Sequence, residues 1–285
     1  MSSSFSEMPF SLALGAGGAR GLAHIHIIEA LDELGIRPNA IAGSSIGAVI
    51  GACYAAGVAG KDIREFVLDL VSKRAFLATT LIAVRVGRFR DMTTLGNPLL
   101  LDGEKLLERL WPSVVPQDFE ALDIPLSIVT TDFHARGPLI LTSGPLLPAV
   151  AASMAIPGAF QPVEYRERIL VDGGTVDPLP FDLLEEQPGI TIAIDVTGGP
   201  VGEIKGRLTG FEVMFGSLQL LQGAIISEKL KLIRPEILIR PPIDNFRVLD
   251  FFAAKKVLDI SEPVKDELKR KLEAILLEKA VKTVM

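Results

Sequence analysis

Gly43-Ser44-Ser45-Ile46-Gly47 sets a serine at the centre of a G-x-S-x-G pentapeptide. That spacing suits acyl transfer. Where a strand runs into such a segment and a helix leaves it, the chain turns sharply and the central hydroxyl stands clear at the sheet edge. Glycines on either side, here Gly43 and Gly47, remove the Cβ clashes that the turn would otherwise create. The helix also aims its first free N–H groups at the charge that forms on an attacked carbonyl. The context fits, because residues 40–43 read as a short strand and 45–56 as a helix. Ser45 is therefore the candidate nucleophile. The competing use of the same residues is a capping serine at an ordinary helix start.

A serine nucleophile needs a base. The chain has three histidines, His24, His26 and His134. An α/β-hydrolase arranges its triad in the order Ser, acid, His, so a histidine would have to lie well beyond Asp172. None does, and the base is then a different residue type. His24 and His26 lie two residues apart on the first helix and cannot share a face. Packing accounts for both, with His24 alone close to the glycine loop.

That loop, Gly15-Ala16-Gly17-Gly18-Ala19-Arg20-Gly21, joins the first strand to the first helix and can offer several backbone N–H groups to one anion. A dinucleotide fingerprint would read G-x-G-x-x-G with an acidic residue closing the second strand. Here the spacing is G-x-G-x-x-x-G, and the second strand ends in Gly43-Ser44-Ser45. The Gly-Lys-Ser/Thr of a Walker phosphate loop is absent. As an oxyanion hole the loop needs only its amides, with Gly17 and Gly18 brought near Ser45. Two adjacent parallel strands deliver both loops to one sheet edge, where α/β proteins place their sites.

The elements that must do this alternate. Strands are expected at 10–14, 40–43, 125–131, 139–142, 168–171 and 190–196. Helices are expected at 21–34, 45–56, 61–72, 103–110 (with Asp102 as N-cap) and 148–155. After residue 210 the chain reads as mainly helical, with 236–240 as an edge strand. This predicts an α/β fold with a mostly parallel central sheet flanked by helices. The stretch 38–60 carries no charge and is long enough for a membrane span of ~20 residues. Its proline, asparagine and paired serines suit a buried strand and helix better.

The chain has 285 residues, 48% apolar and 22% charged, with a net charge of −6. It reads as globular, and no basic footprint points to nucleic acid. Its single cysteine, Cys53, rules out an internal disulfide and a C-x-x-C metal site, so a reducing, cytoplasmic setting is expected. The first 18 residues lack a basic segment and a full apolar segment before a cleavage site, so a secretory signal is not expected.

Taken together, these blocks resemble the patatin-like phospholipases, especially the bacterial branch related to neuropathy-target-esterase-like hydrolases. The likeness rests on Gly17-Gly18-Ala19-Arg20-Gly21, Gly43-Ser44-Ser45-Ile46-Gly47 and Asp172-Gly173-Gly174, in that order. Residues 153–160, Ser-Met-Ala-Ile-Pro-Gly-Ala-Phe, add a fourth block. The resemblance implies a three-layer architecture over residues 9–200, with 201–285 a mainly helical extension packing on the same domain. It further implies a Ser–Asp dyad without histidine. Ser45 is then the nucleophile and Asp172 its proton acceptor, while Gly17, Gly18 and Arg20 line or brace the oxyanion hole. Ala16 departs from the family's run of consecutive glycines. The substrate implied is a lipid or other acyl ester, with no metal and no cofactor. A lysophospholipase, a thioesterase, a transacylase and a non-catalytic acyl-binding regulator share the same residues.

Residues 76–90 join an apolar run to Arg85, Arg88 and Arg90 without an acidic residue. They serve either as a connector packed on the core or as a lid or docking patch near the mouth of the site, making a peripheral contact at the inner membrane face. The sequence leaves the oligomeric state open.

Overall fold

The computed structural model describes residues 8–73, 76, 79–81, 100–199 and 210–284. Most of the 76–90 segment, including all three arginines, lies outside the described residues.

Eight strands form one sheet: β1 (Phe10–Leu14), β2 (Ala40–Ser44), β3 (Leu126–Asp132), β4 (Gly137–Leu141), β5 (Val163–Tyr165), β6 (Arg168–Asp172), β7 (Ile190–Ile194) and β8 (Ile237–Ile239). The run β3-β2-β1-β7-β8 is parallel throughout. β4 and β6 pair with β3 antiparallel, and β5 pairs with β6 antiparallel. The sheet is thus parallel at its centre and antiparallel at one end.

Side-chain size separates the two faces. Leu12, Leu14, Ile41, Ile192 and Ile194 point into one large core. Their neighbours Ala13, Ala40, Ala42 and Ala193 point to the other side, against Leu179, Phe181, Leu184 and Ile226. Period-2 alternation places them so. Large residues fill the space beneath the helices α1 (His24–Leu34), α2 (Ile46–Ala55), α3 (Gly60–Ser72), α4 (Gly103–Leu110) and α5 (Leu146–Ser153). Alanines let the 181–184 turn and the long helix α6 (Gly210–Leu232) approach the opposite face closely. Three layers result. α7 (Ala254–Ser261) and α8 (Val264–Val284) complete the described chain.

Local chemistry explains most boundaries. Gly35 ends α1 in the left-handed region at φ 67°, which glycine tolerates. The Asp102 side chain accepts the Lys105 amide at 3.1 Å and caps α4. α1 begins three residues later than expected, because Gly18–Ala23 first wind as a tighter 3-10 turn. That turn is tethered by the Ala19 amide on the Val248 carbonyl, 2.7 Å away. α5 begins two residues earlier than expected. Pro148 sits in its first turn, where no intrahelical partner awaits its missing N–H. The uncharged stretch at 38–60 is β2 followed by α2, and among the described residues no helix is long and apolar enough to cross a membrane.

One topological detail creates the site. Along β3, residues 128–132 pair with β4 on one edge. On the other edge, residues 126–129 pair with β2 and residues 130–132 with β6. β2 and β6 therefore share that edge end to end, running toward each other. Ser44 closes β2 beside Val129, and Asp172 closes β6 beside Thr130.

Candidate active site

Ser45 follows β2 at φ 55°, ψ −122° and opens α2. A non-glycine residue in that conformation is strained, and it persists only where its surroundings over-determine it. Two glycines allow it. A Cβ on Gly47 would lie 2.1 Å from the Leu14 carbonyl oxygen, so α2 can seat against the end of β1 only because none is there. Gly43 is as confined by the first turn of α2. The Ser45 amide donates to Ser153 Oγ at 2.8 Å, and that hydroxyl donates to the Val129 carbonyl at 2.7 Å.

The end-to-end meeting of β2 and β6 brings Ser45 and Asp172, 127 residues apart in sequence, into direct contact. Ser45 Oγ donates to Asp172 Oδ2 at 2.6 Å. The other carboxyl oxygen, Oδ1, accepts the Gly174 amide at 2.8 Å. The Asp172 carbonyl accepts from Thr131 Oγ1, and its amide donates to the Ala155 carbonyl. Gly173 and Gly174 form the turn that follows. A side chain on Gly173 would strike the Val129 carbonyl, and one on Gly174 would meet Gln222 and Ala16. Ser45 and Asp172 are both buried. Burial pushes the Asp172 carboxyl up to about 7, against the downward pull of its bonds from Ser45 and Gly174. Such a group exchanges a proton near neutral pH.

The glycine loop stands opposite. Gly17, Gly18, Ser45 and Asp172 line one cavity. The amides of Gly15, Ala16 and Ala19 are engaged by carbonyls of Ile194, Pro178 and Val248. Among the described residues the Gly17 and Gly18 amides have no such acceptor, so they remain available to a ligand oxygen. Gly18 takes φ +58° with the Val248 carbonyl 2.2 Å from where a Cβ would stand, which only glycine satisfies. Arg20 is fully buried and does not line the cavity. Its Nε donates to the Gly17 carbonyl and its Nη1 to the Gly199 carbonyl, each at 3.4 Å. Arg20 thus braces the loop from behind. Burial draws its pKa down to about 10 while Asp244 and Asp195 oppose that shift, so it stays cationic at neutral pH.

No histidine reaches Ser45. His24 Nε2 faces the Gly15 carbonyl at 2.9 Å, and burial lowers its pKa to about 4, which keeps the ring neutral. It supports the glycine loop as well as packing. His26 bonds the Leu258 carbonyl and Arg64. His134 lies in the turn between β3 and β4, where its amide bonds Asp132. Cys53 is buried, with its thiol pushed up to about 12, and is inert as a nucleophile.

Sequence reasoning missed the other wall. Phe215, Leu218, Gln219 and Gln222 reach the cavity from α6, and Val248 joins them. Gln222 Nε2 donates to the Gly174 carbonyl at 3.0 Å. The spacing 215, 218, 219, 222 is one helical face and was readable, but nothing local said which face met the site. The bonding of Ser153, within the 153–160 block, has no sequence signal either.

The chain is similar in sequence to known proteins. The sequence profile described as patatin-like phospholipase matches residues 12–185. An uncharacterized NTE family protein of Mycobacterium tuberculosis is 39% identical over 193 residues, covering 67% of this chain and 50% of that protein. The Yarrowia lipolytica protein named lysophospholipase NTE1 is 30% identical over 279 residues, covering 90% of this chain and 19% of its own length. The chain thus spans half the length of the mycobacterial relative and a fifth or less of the yeast one. Among solved structures, VipD from Legionella pneumophila aligns over 92% of this chain and 67% of its own, with a TM-score of 0.47 and 15% identity. Because the profile spans more than half of the sequence, from β1 past the Asp172 turn, the chain belongs to the patatin-like phospholipase family.

Proposed function

We propose that this protein is a serine acyl-hydrolase that cleaves carboxylic esters of lipids through Ser45 and Asp172. The observation that carries the reading is the 2.6 Å bond from Ser45 Oγ to a buried carboxyl whose pKa lies near 7. Asp172 takes the hydroxyl proton as Oγ attacks the ester carbonyl, and the amides of Gly17 and Gly18 receive the oxyanion. Each well-placed donor contributes ~3–4 kcal/mol. Asp172 then returns its proton to the departing alcohol. Water then attacks the acyl-enzyme, giving its proton to the same carboxylate, which passes it to Ser45 Oγ as the C–O bond breaks and the carboxylic acid leaves. Arg20 takes no part in proton transfer; it holds Gly17 in place.

The rest of the cavity supports a lipid acyl chain as the group carried. Ile156, Pro157, Phe215, Leu218 and Val248 line it with apolar surface. Two of those residues lie on α6 and one beyond it, which supports reading α6 and the segment after it as part of the same catalytic body. The name of the yeast relatives places monoacyl phospholipids in the first substrate panel. The test is fluorophosphonate labelling together with hydrolysis of mono- and diacyl lipids, short esters and acyl thioesters. Labelling should map to Ser45, and Ser45→Ala should abolish both signals. Ser44→Ala should keep turnover, since the Ser44 hydroxyl is buried and has no hydrogen-bond partner among the described residues. Undiminished hydrolysis by Ser45→Ala would overturn the reading; labelling without turnover would point to the acyl-binding regulator.

A further inference from the structure

Where β2 and β6 meet on the edge of β3, each strand end must leave the ladder. An amide that leaves a ladder inside the core needs a new acceptor. The Ser45 amide, next after the last β2–β3 pair, does not reach a β3 carbonyl. Ser153 Oγ stands between instead, accepting from Ser45 at 2.8 Å and donating to Val129 at 2.7 Å. Ser153 is 0% exposed. Two residues on, the Ala155 carbonyl accepts the Asp172 amide at 3.1 Å. A single corner, the end of α5, thus grips the backbone of both Ser45 and Asp172.

We propose that the 153–155 corner is the device that aligns this dyad, with Ser153 a positioning residue that acts through the Ser45 backbone and touches no substrate. The inference rests on the Ser45–Asp172 reading. Its physical basis is the strained elbow. Ser45 holds φ 55° without glycine's freedom, and its amide is fixed by one hydroxyl that Val129 fixes in turn. Loss of that hydroxyl leaves two buried backbone groups unsatisfied and lets the elbow relax. Oγ then swings away from Oδ2. Relaxation of that bond also removes one of the two contacts that hold the Asp172 pKa down, so the acid limb of the pH–rate profile must move up.

The experiment compares wild type, Ser153→Ala and Ser153→Cys with a short soluble ester, reading kcat and KM from pH 5 to 9, the fluorophosphonate labelling rate of Ser45, and the folded fraction by circular dichroism. A misplacement of the nucleophile by about 1 Å costs on the order of a hundredfold. Ser153→Ala is therefore expected to lose about tenfold to a hundredfold in kcat and in labelling rate. KM should stay within about twofold, and the acid limb should shift to higher pH. Ser153→Cys, whose thiol is a weak donor and acceptor, should fall between. A purely structural role would lower the melting temperature and the folded fraction with no shift of the limb in the molecules that remain folded. Folded Ser153→Ala with wild-type kcat and an unmoved limb overturns the proposal. If the alanine variant does not fold, the cysteine variant decides by the same readouts. Wild type that is neither labelled at Ser45 nor active is the separate failure, that of the dyad itself, and takes this inference with it.

Discussion

Asp172→Asn is expected to stabilise the fold above neutral pH while it destroys turnover. In the folded chain burial holds this carboxyl near 7, against an ordinary value of 3.8. A carboxyl whose folded pKa exceeds its unfolded one binds its proton more tightly in the folded state. The resulting stabilisation is fully present below 3.8, fades as pH rises, and is gone above about 7, where a buried negative charge must be carried. At 1.36 kcal/mol per unit the gap amounts to about 4 kcal/mol, of which roughly 3 kcal/mol falls between pH 5 and pH 8. A carboxamide keeps the shape, can accept the Gly174 amide and does not titrate. The unfolding free energy of the variant minus that of wild type should therefore climb by roughly 3 kcal/mol over that range, read from urea melts at half-unit intervals. Wild-type kcat/KM should rise with pH along an acid limb near 7, while the variant loses about 10⁴-fold in kcat. The two wild-type titrations must coincide. A flat stability difference would refute the account of burial, and an acid limb near pH 5 beside a rising stability difference would show that the base is another group.

Gly47→Ala should cost about 3 kcal/mol or more in stability, because its methyl would stand 2.1 Å from the Leu14 carbonyl oxygen; a melting temperature within a few degrees of wild type would contradict that packing. His24→Gln, His26→Gln and His134→Ala combined should keep fluorophosphonate labelling of Ser45 within a few-fold, with about 1–3 kcal/mol lost in stability, since neither buried ring touches the dyad. Labelling abolished in the folded triple variant would mean that a histidine serves the serine after all. Arg85, Arg88 and Arg90 changed together to Gln should weaken binding to anionic vesicles at low salt and spare short-ester hydrolysis; unchanged vesicle binding would leave 76–90 a connector.

Local signals carried the elbow and the glycine loop, because both depend on glycine at fixed offsets from a strand end. The alternation of apolar runs carried the parallel centre of the sheet. What sequence could not supply was pairing across distance. β5 has three residues, Val163–Tyr165, too few for any period to register. β6 was readable as a strand, yet its antiparallel direction follows from the two-residue Arg166–Glu167 turn that reverses the chain out of β5, and neither turn residue is the glycine or asparagine that marks such a hairpin. Ser153 lies inside the helix expected at 148–155, and its relay bond exists only because α5 ends at Ser153, over the gap between β2 and β6. The α6 wall was lost for a similar reason. That helix is apolar on more than one side, with Leu220 and Leu221 exposed and Phe215 and Ile226 buried, so periodicity alone could not say which side faces inward.

The same gap shows how the proposed dyad can do without a histidine. In a triad the acid reaches the serine through an imidazole, which requires strands whose ends stand apart. β2 and β6 instead run head-on along one edge of β3, with Ser44 beside Val129 and Asp172 beside the next residue, Thr130. Side chains leaving two strand ends at adjacent positions are within hydrogen-bond reach, and the 2.6 Å contact leaves no room for a ring between them. In the proposed dyad the carboxyl takes over the work of the imidazole, which requires a pKa near the working pH. Burial supplies this by lifting Asp172 to about 7, and the strand ends that set the distance are themselves buried, Ser44 and Asp172 alike.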